Sequence, residues 1–442
     1  MTASFDRRTL IAGGLAASAA TILPMSEAFA QRRRRVSAND KVQVGLIGCK
    51  GMGWADLTAM SKLADVTPVA LCDVDAKVLA ERAGELQNAS GRAPKLYDDY
   101  RQMLDDKSVE AVIIATPDHW HALQLIDAVS AGKDVYCEKP VGNSIAECRA
   151  MVAAKQRHKR VVQVGQWQRS NQHWADAIAH VHSGGIGRVR KVKAWAYMGW
   201  MKNIAPQPDQ EAPPGVDYDR WLGPASLRPF NPNRFHFNWR WYWDYAGGLM
   251  TDWGVHLMDI ALLGMKADAP NSISSLGGKY GYPGTAMETP DTQTAIFDFG
   301  DYSIEWEHAV GISHGPFGGR DHGVAFVGET GTLVVDRGQW RVWPEMNDGK
   351  PLTAEVPVTA VSDEGLDRHT ANFIACVKDR SLTPACPIES AANTATVCQM
   401  GNIAWRTGRK VHWDAAAGQF KGDAEANALI TPRYRAPYRL PV

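Results

Sequence analysis

Short apolar runs alternate with amphipathic helical segments between residues 41 and 165. Each run ends in a glycine or polar turn, after which apolar residues recur every three or four positions. The pattern predicts strands over residues 42–47, 66–71, 111–115, 134–137 and 161–165, with helices over residues 76–87, 97–105 and 122–130. Strands that alternate with helices in this way predict an α/β domain built on a doubly wound parallel sheet.

A different pattern begins at residue 166 and continues to residue 413. After a predicted helix over residues 171–182, the remaining segments are short, β-rich and bounded by glycine turns. They predict antiparallel strands over residues 189–197, 273–277, 292–299, 303–308, 323–328 and 332–336. Residues 166–413 are therefore predicted to form a second domain, of the α+β class, with a mainly antiparallel sheet.

Two segments do not follow these patterns. Residues 198–245 are rich in proline and aromatic residues, and so long a loop in a compact domain is usually functional. We predict that this insertion walls and covers a substrate pocket; the alternative is that its aromatic side chains only fasten it to the domain. Residues 414–442 contain several prolines and are predicted to form a C-terminal strap that reaches a neighbouring subunit.

The overall charge argues against large polyanionic partners. The 442 residues include 48 basic and 48 acidic side chains, so the formal charge is zero. No net field then recruits nucleic acid or an anionic membrane, and we expect a small substrate that is neutral or weakly charged. The 16 tryptophans indicate either a heavy aromatic core or flat apolar platforms for sugar rings.

The seven cysteines lack the close spacing of zinc sites and redox motifs. Several of them lie within apolar runs, which predicts buried thiols and no metal site. A single disulfide among them stays open as an alternative.

The first 30 residues contain the three parts of an export signal in order. Arg7 and Arg8 precede an apolar run that ends near Leu23, and residues 28–30 offer a small-x-small cleavage site. These features resemble a bacterial twin-arginine signal. We predict a signal peptide over residues 1–30, a solvated leader over residues 31–40, and a periplasmic protein without a membrane anchor.

A glycine turn follows the first predicted strand. Residues 48–53 read Gly-Cys-Lys-Gly-Met-Gly and lead into a helical segment. In this strand-turn-helix context G-x-G-x-x-G binds a pyrophosphate at a helix N-terminus. Gly48 and Gly53 fill the first and third glycine positions, but Lys50 stands at the second. Either Gly51 replaces the missing glycine, or the Lys50 side chain turns outward and adds a charge.

Asp73 strengthens the interpretation of the glycine turn. It follows the second predicted strand, 20 residues after Gly53 in the numbering. A carboxylate there hydrogen-bonds the ribose hydroxyls of NAD and repels the 2′-phosphate of NADP. A surface aspartate at a strand end is the alternative. The turn and the carboxylate together predict a Rossmann domain over residues 41–165 that binds NAD in preference to NADP.

An acid/base pair is predicted in the second domain. Asp252 and His256 are four residues apart, so on a helix both side chains project from one face and the carboxylate can hold and tune the imidazole. The alternative is a buried helix in which the aspartate merely satisfies the histidine. The segment around the pair is rich in tryptophan, with Trp239, Trp241, Trp243 and Trp253.

Three further motifs stand out along the chain. They are Ala115-Thr116-Pro117-Asp118-His119-Trp120-His121, Gly132-Lys133-Asp134-Val135-Tyr136-Cys137-Glu138-Lys139-Pro140, and Gly247-Gly248 followed by Asp252 and His256. Together they resemble the Gfo/Idh/MocA family of NAD(P)-dependent oxidoreductases, which includes glucose-fructose oxidoreductase and inositol dehydrogenase. The resemblance covers nearly the whole chain after the signal peptide. Its Glu-Lys-Pro tripeptide is far more specific than the glycine turn.

The resemblance implies a role for individual residues. Lys139 matches a lysine that contacts both the nicotinamide ribose and the substrate, and His256 matches the acid/base, with Asp252 beside it. Since the carboxyl ends of parallel strands share one edge, the predicted cofactor-binding residues are Gly48, Lys50, Gly51, Met52, Gly53, Asp73, Thr116, Pro117, His119, Glu138 and Lys139. The predicted substrate-binding residues are Lys139, Gln166, Arg169, Arg234, His236, Trp241, Asp252 and His256, with Arg240 as a further candidate.

Two further pairs contain a histidine. Asp321 and His322 follow a glycine-rich turn and are weak candidates for the site. Arg368 and His369 are predicted to cap a helix over residues 370–377.

The resemblance also implies that the second domain is one large, open sheet whose free face packs against another subunit. We therefore expect a homo-oligomer, either a dimer or a tetramer.

The predicted function is oxidation or reduction of a secondary alcohol in a sugar, glycoside or polyol. His256 would take the hydroxyl proton, Asp252 would orient it, and Lys139 would donate to the same oxygen. A periplasm without a free NAD pool predicts a tightly held cofactor. One alternative is a glycoside hydrolase that oxidises the sugar transiently, eliminates the substituent and reduces again. The other is a non-catalytic sugar-binding protein, against which the joint presence of Lys139 and His256 argues.

Overall fold

The computed structural model describes residues 41–361 and 364–441 of the chain. The predicted signal peptide and leader, residues 1–30 and 31–40, lie outside the described residues. Within the described part of the chain, no helix combines the length and the apolar character that a membrane crossing requires.

A six-stranded parallel sheet forms the first domain, which confirms the predicted fold class. Its strands are β1 (Val42–Ile47), β2 (Val66–Cys72), β3 (Lys95–Tyr97), β4 (Ala111–Ile114), β5 (Asp134–Cys137) and β6 (Val162–Val164), in the order β3-β2-β1-β4-β5-β6. The connecting helices are α1 (Met52–Ser61), α2 (Ala76–Ser90), α3 (Tyr100–Asp105), α4 (Asp118–Ser130) and α5 (Ile145–His158). The strand order reverses between β1 and β4, where sheets of this kind bind ligands.

The pattern does not predict two elements of this domain, the strand β3 and the helix α5. Two of the three residues of β3 are exposed, so this short edge strand carries no apolar run. The helix predicted over residues 97–105 therefore begins later, at Tyr100, where the Asp99 side chain accepts from the Arg101 N–H and caps it.

The second domain is built on a ten-stranded sheet that is mainly antiparallel. Its strands are β7 (Val189–Met198), β8 (Ser272–Gly278), β9 (Thr292–Asp298), β10 (Ser303–Val310), β11 (His322–Gly328), β12 (Gly331–Val335), β13 (Gln339–Pro344), β16 (Val356–Ala360), β17 (Val411–Asp414) and β18 (Gln419–Phe420), with β14 (Met346–Asn347) and β15 (Lys350–Pro351) in a separate hairpin. The order is β16-β13-β12-β11-β7-β10-β9-β8-β17-β18. Only β7 and β10, among the described pairs of this sheet, run parallel.

Helices cover one face of the large sheet. The remaining helices are α6 (Gln172–His182), α7 (Tyr218–Leu222), α8 (Leu249–Asp252), α9 (Gly254–Met265), α10 (Pro316–Gly319), α11 (Gly365–Lys378), α12 (Ile388–Thr407) and α13 (Ala424–Ala428). Of these, α9 packs on β7 and α12 packs on β8 and on α9. Because α9 lies between sheet and helix, ten of its twelve residues are buried, and the helix is a rigid carrier for any side chain at its start.

Polar side chains from neighbouring segments hold α9 in place. Both nitrogens Nε and Nη2 of Arg169 donate to the Asp259 carboxylate, each at 2.6 Å. The Thr394 hydroxyl of α12 donates to the same carboxylate at 3.1 Å. A buried bidentate ion pair fixes the positions of both partners. These bonds therefore hold three parts of the chain in fixed positions relative to one another: the segment after β6, α9 and α12.

The C-terminal strap packs on its own subunit. Tyr434 donates its hydroxyl proton to the Glu147 carboxyl group, and Arg435 Nε donates to the Gly223 carbonyl at 2.6 Å. The ring of Tyr438 lies edge-on to that of Trp120, 5.6 Å between centroids. The strap predicted to reach a neighbouring subunit therefore crosses the first domain of the same chain, where apolar and polar partners are already present.

Two minor expectations are also resolved. All seven cysteines are buried free thiols, as their apolar context predicts. His369 does not cap a helix. It lies within α11, which begins at Gly365, and its side chain is buried. The His369 Nε2 atom lies 2.9 Å from the Val164 carbonyl, so the residue ties α11 to β6.

Candidate functional site

The glycine turn joins β1 to α1 in a geometry that excludes larger residues. Gly48 has a φ of 88°, and a Cβ on it would lie 2.7 Å from the Ala115 carbonyl oxygen. A Cβ on Gly53 would lie 2.3 Å from the Gly48 carbonyl oxygen. Both glycines keep β1, β4 and α1 close together, so the unpaired N–H groups at the start of α1 face the strand ends.

Lys50 does not obstruct the turn. Its side chain is exposed and lines the cavity beside the turn. Gly51 has a φ of 54°, and no atom lies within 4 Å of where its Cβ would be. Both possibilities raised by the imperfect motif are thus present together: Gly51 takes the positive φ, and Lys50 turns outward and adds a positive charge to the cavity wall.

Asp73 is fixed at the end of β2. Its Oδ2 accepts from the Cys49 N–H at 2.8 Å, and its Oδ1 accepts from the Asp75 N–H at 3.0 Å. Burial raises the pKa of this carboxyl, and the two N–H donors oppose that shift. A carboxylate offers about four acceptor positions, so acceptor capacity remains on the cavity side for a pair of ribose hydroxyls.

A cavity of about 650 Å³ runs along the carboxyl edge of the parallel sheet. Its sheet side is formed by the glycine turn, Asp73, Thr116, Pro117, Glu138 and Lys139. Its opposite side is formed by the insertion and the strap, through Trp221, Phe235, His236, Trp239, Arg240 and Tyr438. The volume, the glycine cradle and the acidic strand end fit a dinucleotide. The insertion therefore covers the cofactor cavity as well as the site at its end.

His119 is not part of the cavity wall. Its ring is buried against Trp221 and Tyr245, and its Nε2 lies 3.1 Å from the Trp221 carbonyl. Burial lowers the pKa of this imidazole to about 3. The prediction that it binds the cofactor is therefore corrected, because the first turn of α4 directs this side chain into the core beneath the insertion.

His121 of the same motif has a structural role that the motif did not suggest. Its Nδ1 lies 2.8 Å from the Pro140 carbonyl, and its Nε2 lies 2.8 Å from the Thr116 carbonyl. The ring thus bridges the turns that follow β4 and β5. It fixes the position of the Glu138-Lys139-Pro140 turn relative to the cavity.

The centre of the site is an ion pair between the two domains. Lys139 Nζ, beyond the end of β5, donates to Asp252 Oδ1 at 2.8 Å. Arg240 Nε of the insertion lies 3.3 Å from Asp252 Oδ2. Burial opposes ionisation of Asp252, but the charges of Lys139 and Arg240 hold its pKa at about 2. Asp252 is therefore a carboxylate that positions the Lys139 ammonium.

His256 is not held by Asp252, in contrast to the prediction. The backbone tightens at this point, because the His256 N–H donates to the Trp253 carbonyl three residues back. The predicted single helix is accordingly divided into α8 and α9 at Trp253. With this change of pitch the four-residue spacing no longer turns both side chains toward each other.

The imidazole of His256 is buried, and its Nδ1 has no hydrogen-bond partner among the described residues. Burial, followed by the positive charges of Lys139 and Arg337, lowers the pKa of His256 well below its ordinary value. An unprotonated imidazole next to an ammonium group is suited to accept a proton from a hydroxyl.

Arg337 is a site residue that no sequence motif indicated. It lies in the turn between β12 and β13, and its Cζ is 4.4 Å from the ring centroid of Trp253 and 5.0 Å from that of Trp167. Its Nε donates to Gln168 Oε1 at 3.0 Å. Only the register of the large sheet brings this turn to the start of α9, so a local pattern carries no sign of it.

The weaker pair Asp321 and His322 does lie beside the site. The His322 ring is 5.1 Å from that of Trp253, and its Nδ1 is 2.7 Å from Asp321 Oδ1. Burial is the largest influence on His322 and lowers its pKa. The strand β11 thus contributes a second imidazole near His256.

Four of the predicted substrate-binding residues are structural. Arg169 forms the ion pair with Asp259 described above. Gln166 is buried, and its Oε1 lies 3.3 Å from Cys386 Sγ. Arg234 Nη2 donates to the Pro229 carbonyl at 2.6 Å and lies 3.3 Å from Asp209 Oδ1. Trp241 is only 3% exposed and packs in the core. These side chains stabilise the second domain and its insertion, because each finds its partner there.

His236 has a different place from the one predicted. Its Nε2 lies 3.3 Å from Asp75 Oδ2, and its ring lines the cofactor cavity. Burial lowers its pKa, and the charge of Lys50 acts in the same direction. The residue therefore faces the dinucleotide side of the cavity instead of the substrate.

Two family models match the chain. The NAD-binding Rossmann-fold domain of the Gfo/Idh/MocA oxidoreductase family matches residues 42–166. The C-terminal α/β domain of the same family matches residues 185–276 and 344–440. Together they cover well over half of the sequence, and the chain belongs to the Gfo/Idh/MocA oxidoreductase family, with an NAD-binding first domain.

Individual relatives are more distant. Inositol 2-dehydrogenase of Salmonella typhimurium is 29% identical over 177 residues, which is 40% of this chain and 50% of that enzyme. A glycosyl hydrolase family 109 protein of Stenotrophomonas maltophilia is 33% identical over 150 residues, which is 33% of this chain and 32% of that protein. The chain thus spans about half the length, or less, of these curated relatives.

A solved structure has the same fold. The aldose-aldose oxidoreductase of Caulobacter crescentus, crystallised with glycerol, superposes with a TM-score of 0.64 at 19% identity. The match covers 84% of this chain and 100% of that one. At this identity the similarity establishes the fold alone.

The close packing of the glycine turn predicts that one added methyl group strongly reduces dinucleotide binding. In Gly53→Ala the new Cβ meets the Gly48 carbonyl, so α1 must shift, at a cost of about 1–3 kcal/mol in the free energy of unfolding. We expect purified Gly53→Ala protein to lose most of its bound dinucleotide, measured by chromatography of the denatured supernatant. Gly84→Ala is the matched control, because Gly84 is also a glycine within a helix, α2, but has no neighbour within 4 Å of its Cβ position. A Gly53→Ala protein with full cofactor content would contradict the assignment of the turn.

Proposed function

We propose that this protein is an NAD-dependent oxidoreductase that acts on a secondary alcohol of a sugar, glycoside or polyol. The observation that carries the proposal is the buried imidazole of His256, whose Nδ1 has no partner among the described residues and whose pKa is lowered by burial and by the charge of Lys139. Lys139 lines the cofactor cavity and its charge acts on His256, so we place the reacting carbon between these two groups. The relatives named inositol 2-dehydrogenase and aldose-aldose oxidoreductase support a polyhydroxylated substrate.

In the proposed mechanism each charged group has one task. NAD, when bound, supplies the hydride acceptor. His256 accepts the hydroxyl proton at its imidazole, and Lys139 donates a hydrogen bond to the same oxygen as it gains carbonyl character. Asp252 orients the Lys139 ammonium, which replaces the earlier assignment of Asp252 to His256. In the reverse direction the same groups return the proton.

We further propose that the cofactor stays bound between turnovers. The cavity is closed opposite the sheet by the insertion and by Tyr438 of the strap. The insertion is itself held by buried polar contacts, among them the Trp120 Nε1 donation to the Trp221 carbonyl at 3.1 Å. Release would require these segments to separate, which supports reoxidation of the cofactor in place by a second sugar or keto compound.

A glycoside hydrolase that cycles its NAD without net redox is the second candidate. The similarity to a glycosyl hydrolase family 109 protein favours it. The same three residues would serve, since transient oxidation begins with the same proton and hydride removal. Product analysis separates the two, because only the hydrolase cleaves a glycoside without net change in bound NADH. A non-catalytic sugar-binding protein would need neither Lys139 nor His256.

We infer that the protein is a homo-oligomer. The face of the large sheet opposite its helices carries Leu276 and Ile296, whose exposed fractions are 79% and 48%. Beside them, Lys193 Nζ lies 2.8 Å from Glu307 Oε2. An open sheet face that mixes exposed apolar residues with ion pairs fits contact with a second copy.

The first test concerns the base. Replacing His256 by Ala should lower the rate of hydride transfer by about 100-fold or more, because the hydroxyl proton then has no acceptor. Bound NAD should remain, since His256 does not line the cofactor cavity. The measurement is NADH absorbance of the holoprotein mixed with a panel of sugars, glycosides and polyols, with products identified. His412→Ala is the matched control, as His412 is an exposed histidine on β17. Near-normal transfer in His256→Ala would end the assignment.

The second test concerns pH. Because the pKa of His256 is lowered, the neutral base persists as the pH falls, and activity is lost only when the pH drops through the lowered value. We expect no acid limb from His256 near the ordinary imidazole pKa of 6.5. Burial raises the pKa of Glu138 to about 7, so the profile is measured in Glu138→Gln as well. An acid limb near pH 6.5 that persists in Glu138→Gln would contradict a neutral His256.

The third test concerns export, which we propose from the arginine pair Arg7-Arg8, the apolar run that follows it and the small-x-small cleavage site. Arg7→Lys with Arg8→Lys should leave the protein in the cytoplasm, because the twin-arginine pathway reads the pair. Arg32→Lys with Arg33→Lys, in the predicted leader, is the matched control. The measurement is fractionation of a bacterial host followed by blotting. Equal periplasmic amounts of both variants would contradict the proposed route.

A further inference from the structure

The guanidinium of Arg337 has no counter-ion among residues 41–361 and 364–441. Its Nε donates to Gln168 Oε1, and its backbone N–H donates to His322 Nε2 at 3.4 Å. Among the described residues, no carboxylate lies within ion-pair distance of it; Asp252 and Asp321 act on it only at longer range. The two terminal nitrogens of the guanidinium are thus left for a partner outside the described chain.

The surroundings hold this guanidinium in one orientation. Two indole rings, those of Trp253 and Trp167, lie within 5.0 Å of Arg337 Cζ. Arginine stacked on aromatic rings keeps its hydrogen-bonding edge free. With Nε tied to Gln168, the edge formed by the two terminal nitrogens is presented as a fork.

A second cavity opens at this fork. It measures about 700 Å³ and is lined by Arg337, Trp167, Asn171, Gly51 and Trp54. Gly51 belongs to the walls of both cavities, so the second one adjoins the cofactor cavity. The acidic residues at its rim are already engaged, since Lys62 Nζ lies 2.7 Å from Asp367 Oδ2 and 3.7 Å from Glu364 Oε2.

The charges of the described residues at the site do not balance. Three cations, Lys139, Arg240 and Arg337, act on the Asp252 carboxylate, whereas Asp321 is paired with His322 and acts on Arg337 only at longer range. Two other carboxyl groups are near: burial raises the pKa of Asp118 and that of Glu138, which reduces their negative charge. A positive excess in a largely buried place is costly unless an anion completes it.

We propose that the substrate is an acidic sugar, a uronate or a related sugar carboxylate, and that Arg337 binds its carboxylate. This inference rests on the function proposed above and specifies its substrate class. The planar fork of a guanidinium matches the two oxygens of a carboxylate. One unpaired cation matches one negative charge, whereas a phosphate dianion would require further donors. Of the neutral or weakly charged substrates expected from the zero net charge of the chain, this selects one with a single negative charge.

Arg337 could alternatively serve only to pack Trp253 and Trp167. The two explanations differ in what the residue discriminates. A packing role would affect every substrate alike, whereas a carboxylate-binding role would affect only substrates that carry the charge. The methyl ester of a uronate provides this contrast, because it keeps the sugar ring and removes the charge.

The experiment uses the full-length holoprotein with its bound NAD. The probes are D-glucuronate, D-galacturonate, their methyl esters, D-glucose, D-galactose and D-glucose 6-phosphate. Reduction of bound NAD is followed at the NADH absorbance band, and binding is followed independently by the shift in melting temperature. For at least one uronate we expect kcat/KM to exceed that of its ester by about 100-fold, the range for a buried hydrogen-bonded charge pair.

Three variants complete the design. Arg337→Met should remove most of the preference of the enzyme for the uronate over its ester, chiefly by raising KM for the uronate. Arg337→Lys should restore part of it, because the charge remains but the fork is lost. Arg341→Met is the matched control, since Arg341 also stacks on an indole, Trp343, but pairs at the surface with Glu355.

Each outcome decides the proposal. Equal use of uronate and ester by the unaltered protein, equal losses for both in Arg337→Met, or a preference for glucose 6-phosphate would overturn it. If no probe reduces the bound NAD, the melting-temperature arm decides. Stabilisation by a uronate that Arg337→Met abolishes would support carboxylate binding while the redox function fails, and its absence in both proteins would overturn the inference.

Discussion

The ion pair between Lys139 and Asp252 is the contact on which the site depends. Lys139 stands at the end of a parallel strand, and Asp252 stands at the end of the short helix α8, so one hydrogen bond joins the cofactor domain to the substrate domain. A buried pair of this kind is destabilising when one partner is removed, because the other is left uncompensated. The arrangement therefore fixes the strand end, α8 and the insertion residue Arg240 as one unit.

The site is assembled from rigid parts. His256 is carried by a helix buried between a sheet and another helix, and that helix is anchored by Arg169 and Asp259. The Glu138-Lys139-Pro140 turn is tied by His121 to the neighbouring strand end. Positions fixed in this way need little rearrangement when a substrate binds, which is what catalysis by a positioned base requires.

The sequence pattern predicted the parts of the fold and site that depend on local spacing. Gly48, Gly53, Asp73 and Lys139 lie at fixed offsets from strand ends, so their places follow once the strands are recognised. Partners across the fold could not be predicted: polarity alone does not reveal that Arg169 is neutralised by Asp259 or Arg234 by Asp209. Arg337 was invisible for the same reason. The prediction that Asp252 holds His256 is wrong because the helix pitch changes at Trp253. A rule based on four-residue spacing assumes that the pitch is constant.

The C-terminal strap forms part of the wall at the dinucleotide end of the cavity. Tyr438 forms part of the cavity wall, and the strap is held there through Tyr434 and Arg435. Those contacts touch neither His256 nor Lys139. If these contacts opened, the dinucleotide end of the cavity would lose part of its wall while Lys139 and His256 kept their positions, so the strap is a point at which the proposed retention of the cofactor could change independently of the proposed chemistry.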